Sequence, residues 1–260
     1  MRSLFACVLG AALAAAPVMS GPPDAARDAD IVFLGEVHDN PAHHVLQADW
    51  VRALAPAAIV FEMLPATLDH AAIAAARGDA QALAEVLGWA DLGWPDFAMY
   101  HPIFTAAPEA EIRGALIGRT EARAAMTMPL ADAFGEGAGD FRLDLSLPPE
   151  MQAAREALQM AAHCDALPET MLPGMVAIQR LRDAALARAA RDALRDLGPP
   201  VVVITGNGHA RTDWGAPALL AGQGVFALGQ SEGGRPPEGT FDLVLDADPV
   251  DRPEPCLAFR

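Results

Sequence analysis

Two glycine-flanked clusters carry residue types that move protons or hold metals. One reads Gly35-Glu36-Val37-His38-Asp39-Asn40, the other Thr205-Gly206-Asn207-Gly208-His209-Ala210-Arg211. Glu36 and His38 stand two apart, so on an extended chain their side chains point the same way. Gly206 and Gly208 are expected to let the backbone turn sharply and bring His209 close to a ligand. Glu62 ends the apolar run Ala58-Ile59-Val60-Phe61. Carboxylates and imidazoles converging on one point suit a divalent metal or a general acid–base pair. On that reading Glu36, His38 and His209 hold the ion, and Glu62 activates a water that attacks an amide or ester. Asp39 is expected to cap a helix opened by Pro41.

Such residues need a frame that delivers them to one place. Short apolar runs read as buried strands at Ile31–Leu34, Ala58–Phe61, about Ile112–Ile117, Val201–Ile204, Val225–Leu228 and Phe241–Leu245. Helical stretches are expected at His43–Leu54, Thr67–Gly78, Ala80–Leu87, Pro149–Cys164 and Gly174–Leu197. Apolar strands alternating with helices predict an α/β fold, a mostly parallel sheet covered on both faces. Ligands of such sheets bind beyond the carboxyl ends of the strands, where Glu36, His38, Glu62, Arg119 and His209 all fall. A helical insertion or lid is expected over about residues 126–173, with a mobile loop at Gly135–Gly139.

Composition narrows the classes. The chain has 260 residues, 52% of them hydrophobic, enough for one domain with a sizeable core. Eighteen basic residues, all arginine, face 34 acidic ones, a net charge of −16. That balance argues against a nucleic-acid partner. With no lysine, neither a P-loop nor a Schiff-base mechanism is open. No serine stands in a G-x-S-x-G elbow, and no GxGxxG follows a strand. Residues 1–20 read as a secretory signal: Arg2, an apolar run from Leu4 to Ala16, and small residues with cleavage after Ser20. The mature chain, 21–260, is then expected in the periplasm or cell envelope. A lipid anchor would have to use Cys7, which precedes the apolar run instead of ending it. Cys164 and Cys256 remain, and spacing alone leaves their pairing open.

The sequence resembles the ChaN-like haem-binding uptake family of the Tiki/TraB/erythromycin-esterase superfamily. The similar pieces are VFLGEVHDNPAHH at 32–44, IVFEMLP at 59–65, GWPDFAMYHPIF at 93–104, HCDALP at 163–168, MVAIQRLRDAALA at 175–187 and ITGNGHARTDWGAP at 204–217. The resemblance implies an envelope protein of haem or iron uptake, a haem cofactor enclosed by a homodimer, and an outer-membrane haem receptor as partner. The wider superfamily implies a metal-dependent peptidase or esterase, with active-site positions falling on Glu36, His38, Glu62 and His209. It also places Gln179, Arg182 and Asp183, on one helix face, beneath the site, with Arg119 as a further polar neighbour.

Haem iron takes His, Met, Cys or Tyr as axial ligand. Tyr100, the lone tyrosine, is therefore the ligand candidate, placed in a loop Met99-Tyr100-His101-Pro102. His101, His43 and His44 are the alternatives. Met126, Met128, Met151 and Met160 could give a porphyrin apolar cover. Haem binding is the favoured expectation, and metal-dependent hydrolysis the alternative.

Overall fold

The computed structural model describes residues 21–253 and 256–257, so the expected signal segment and Cys7 lie outside the described residues. Among the described residues six strands form one parallel sheet: β1 (Ile31–Glu36), β2 (Ala58–Phe61), β3 (Glu111–Gly114), β4 (Val201–Gly206), β5 (Val225–Glu232) and β6 (Leu243–Ala247). Their order is β3-β2-β4-β1-β5-β6. Every pairing is parallel, as continuous apolar runs require when both faces are covered. The chain passes from β1 to β2 over the place that β4 later fills, then sends β5 to the other side of β1. The carboxyl ends of β1, β2 and β4 therefore surround one crevice.

Alternation along the strands feeds two different cores. Val32, Leu34, Ile59 and Phe61 point to a face rich in aromatic rings, where Trp50, Tyr100 and Phe104 are buried. Ile31, Phe33, Val60 and Val203 point to the other face, covered by the long helix Leu172–Leu197 through Ala184, Ala187, Ala190 and Ala193. Small side chains let that helix lie close to the sheet. Among the described residues no helix is long and apolar enough to cross a membrane.

Several local expectations change. Tyr100 and His101 sit in a helix, Phe97–Ala106, with Pro102 inside it and Asp96 capping it by accepting from Ala98 N at 2.9 Å. The Pro41–Leu54 helix is capped by Asn40, which accepts from Ala42 N; Asp39 pairs with Arg252 instead, at 2.7 Å. The glycine loop is a packed turn. Gly135 and Gly137 take positive φ so that Phe134 and Phe141 meet edge-on, with Arg188 and Arg191 over their rings. Arg180 donates to the carbonyls of Arg142 and Leu145, fastening the same segment to the long helix. Met128 is 45% exposed and Met126 lies against Gly174, in the first turn of the long helix. Cys164 and Cys256 form a disulfide across 92 residues, tying the chain's end to the segment after the Pro149–Ala162 helix.

Candidate functional site

At the crevice, β1 ends on Glu36 and the chain turns, which lays His38 back against its neighbour. His38 Nδ1 donates to Glu36 Oε1 at 2.7 Å. The Tyr100 hydroxyl donates to the same oxygen at 2.7 Å, and Gln47 Nε2 to Oε2 at 2.8 Å. His44 Nδ1 lies 3.5 Å from Oε2. The Glu36 carboxylate is thus fully buried and fully served. From β2, Glu62 Oε2 accepts from the Thr205 hydroxyl at 2.6 Å and from Gly206 N at 2.8 Å. From the turn after β4, His209 Nδ1 meets Asp183 Oδ1 at 2.6 Å, and its Nε2 lies 3.6 Å from Glu62 Oε1. His38 Nε2 stands 4.0 Å from Glu62 Oε2. The result is one chain of alternating acids and imidazoles: Glu36, His38, Glu62, His209, Asp183.

The charges follow from this order. Burial opposes charge on His38, but hydrogen bonding and attraction from Glu36 outweigh it and raise its pKa to about 9. Burial would lift the Glu62 carboxyl; His209, His38, Thr205 and Gly206 N–H bring it down to about 2. Burial likewise opposes ionisation of Glu36, and His38 holds it below its ordinary value. His209 is held above its usual range by Glu62 and Asp183 despite its burial. Burial raises Asp183, whose Oδ2 has no partner among the described residues. Two oriented imidazoles and a carboxylate between them can carry protons in and out of the crevice. Its free space beside Glu62, Trp94 and Arg182 is only about 20 Å³.

Gly206 has an ordinary φ of −61°, so the expected sharp turn is not its role. A Cβ there would stand 2.9 Å from His38 Nε2, so this glycine makes room for the imidazole. Gly35 does the same for Asn207, whose Oδ1 would lie 2.5 Å from an added Cβ.

A family model described as haem-binding uptake, Tiki superfamily, ChaN, matches residues 23–220. The chain belongs to that family. Among solved structures, this ChaN-family chain is similar in fold to ChaN of Campylobacter jejuni, a structure of cofacial haem binding. Their TM-score is 0.64 at 19% identity, covering 84% of this chain and 87% of that one. The type III effector HopBA1 aligns with TM-score 0.47 at 16% identity, over 86% of this chain and 90% of that one. A succinoglycan biosynthesis protein aligns with TM-score 0.43 at 12% identity, over 80% and 67%. No curated protein matches the chain in sequence.

Within this ChaN-family fold the proposed ligand sets separate. Glu36 lies behind His38, on its Nδ1 side, and does not face His209; the expected ion between Glu36, His38 and His209 has no common point. Among the described residues no group of three or more His, Cys, Asp or Glu is arranged to hold a metal. Tyr100 is fully buried with its hydroxyl given to Glu36, and both burial and that acid push its pKa upward. His43 and His44 are buried too. The first accepts from Val37 N and reaches Ser231 O; the second lies 3.0 Å from His38 O. His101 is half-buried against Arg77 O, at 3.0 Å. Gln179 touches His209 Nδ1 at 3.1 Å, while Asp183 bonds it directly. Arg182 borders the crevice, and Arg119 is exposed at the start of its own helix, outside the cluster. Gln47 is a site residue that no spacing signal announces, while Trp94 and Thr205 come from motifs the sequence displays without a role being read for them. Trp94 lies 4.9 Å from the His38 ring, centroid to centroid.

Proposed function

We propose that this chain is an exported haem-binding protein of haem or iron handling. The observation that carries the reading is the family match over most of the mature chain, joined to the exposure of one imidazole at the crevice. His38 keeps 31% of its side chain exposed, against 8% for His209. Its Nδ1 is fixed by a buried carboxylate, the arrangement that orients metal-ligating histidines. Haem would supply an iron centre; His38 would hold it through Nε2 on giving up the proton that its raised pKa keeps there, and Trp94 would offer its ring to the macrocycle. A recess of about 20 Å³ cannot enclose a porphyrin, since cavities that do so for drug-sized ligands run to several hundred. On this reading the haem would lie against the surface, with a second copy of the chain covering its open face. Cofacial binding in the Campylobacter relative is consistent with that mode. The Cys164–Cys256 disulfide supports export, because such bonds persist in oxidising compartments.

A haem titration followed by absorbance tests this. Wild type should show a saturable Soret shift; His38→Ala should lose it, and Tyr100→Phe should weaken it by disturbing Glu36. No saturable shift in wild type would sink the reading.

A hydrolase remains the second reading, favoured by the oriented pair of imidazoles about Glu62. In it His38 donates a proton to the leaving group and Glu62, oriented by His209, takes one from water. Peptide or ester turnover that Glu62→Gln abolishes would establish it.

A further inference from the structure

A second cavity, of about 240 Å³, opens between the Pro149–Ala162 helix, the first turns of the Leu172–Leu197 helix and the turn after β4. Leu158 and Val176 give it apolar walls, and Trp214 closes one side between two arginines. The Arg211 guanidinium lies 3.7 Å from the Trp214 ring and is already bound twice to Asp213, at 2.6 Å each. Arg155 lies over the same ring at 5.0 Å and differs completely. It is 9% exposed, its Nε has no partner among the described residues, and its Nη2 reaches only the Met151 sulfur, at 3.6 Å. The acids nearest in charge are Asp183, whose Oδ1 is bonded to His209 and whose Oδ2 has no hydrogen-bond partner among the described residues, and Asp213, bonded to Arg211; both attract Arg155, but neither is hydrogen-bonded to it. A buried guanidinium without an oxygen acceptor is costly to keep and suited to one that arrives from outside.

We propose that this cavity binds a small monocarboxylate with an apolar or aromatic body, its carboxylate on Arg155 and its body against Trp214. The planar guanidinium fork matches a carboxylate's two oxygens. One guanidinium with donors free of any oxygen acceptor among the described residues matches one carboxylate; a dianion would also meet Glu238 on the wall and Asp213 behind Arg211. The volume lies just below the range for drug-sized ligands, so a porphyrin is excluded and a ring with a short acid arm fits. Gln179 lines the cavity and touches His209 Nδ1, so the bound molecule would lie beside the His209 half of the acid–imidazole chain. The site is independent of haem binding at His38.

Calorimetric titration of the full oxidised chain with phenylacetate tests it, with phenylacetamide as the neutral isostere. Phenylacetate should bind saturably, and phenylacetamide should not. Arg155→Met keeps the apolar stem and should weaken phenylacetate roughly 10- to 100-fold, the span of a charge-assisted hydrogen-bonded pair. Leu158→Trp, which fills the cavity and leaves Arg155 in place, should abolish binding. Absence of saturable binding up to ~10 mM phenylacetate overturns the inference. So does equal binding of the amide, or unchanged affinity in both variants. Loss of phenylacetate binding in His38→Ala would place the ligand at the haem site and overturn it as well.

Discussion

On the β1 side of the crevice, His38 leans on an acid that is itself held by three further side chains. Tyr100, Gln47 and His44 all address Glu36, and all come from the aromatic face of the sheet. On the β4 side, His209 leans on Asp183, which projects from the alanine-rich helix and has one oxygen left over. The two imidazoles share Glu62, yet one is anchored by a closed network and turned outward, the other by Asp183 with Gln179 beside it and turned inward. A closed network fixes a ring where a large ligand can reach it. An open one leaves the inner ring able to exchange its proton between Glu62 and Asp183.

Replacing the two supporting acids should expose this difference most strongly. Glu36→Ala leaves the charged His38 without its acid, and Tyr100 and Gln47 with only the carbonyls of His38 and Leu34, around an apolar gap, and should cost about 3–5 kcal/mol of stability. Asp183→Asn keeps an oxygen for His209 but takes away its charge and puts an amide NH2 where the free Oδ2 stood, and should cost about 1–2 kcal/mol. Urea unfolding of both variants beside wild type measures the two costs. Equal losses would mean that the aromatic-face network adds nothing beyond the Glu36–His38 pair.

Much of this frame was legible in sequence because parallel strands leave a plain mark. Each of β1, β2 and β4 is an apolar run closed by a glycine or an acid, and Glu36, Glu62 and His209 are what those runs deliver. Asp183 was reachable too, through its helical spacing from Gln179. Tyr100 was misplaced because Pro102 reads as a helix breaker. Asp96 as a cap and the Phe97, Tyr100, Phe104 spacing carry the helix through it. What could not be read is what depends on packing between distant segments. The hydroxyl of Tyr100 meets a carboxylate 64 residues away, and Arg252 meets Asp39 across 213. Gly206 looked like a conformational hinge, whereas only the position of His38 shows that it is a space requirement.

The smallest expected effect sharpens the comparison between the two imidazoles, and it lies in the pH dependence of stability. His38 is raised from 6.5 to about 9, so its contribution is complete below pH 6.5 and fades as pH climbs through 9. His209, also raised, fades in the same direction. Glu62 is lowered from 4.5 to about 2, so its contribution is complete above pH 4.5 and is lost as pH falls through 2. Asp183, raised by burial, works the other way and takes some stability back as pH passes 3.8. Wild type should therefore be most stable between about pH 4.5 and 6.5, with a decline toward 9. His38→Gln should flatten that alkaline decline, because the raised charge on His38 is lost over this range. If thermal unfolding across this range shows the decline intact in His38→Gln and gone in His209→Gln, the proton is held on the inner ring. Glu62 would then lean toward Asp183's partner rather than toward the exposed one.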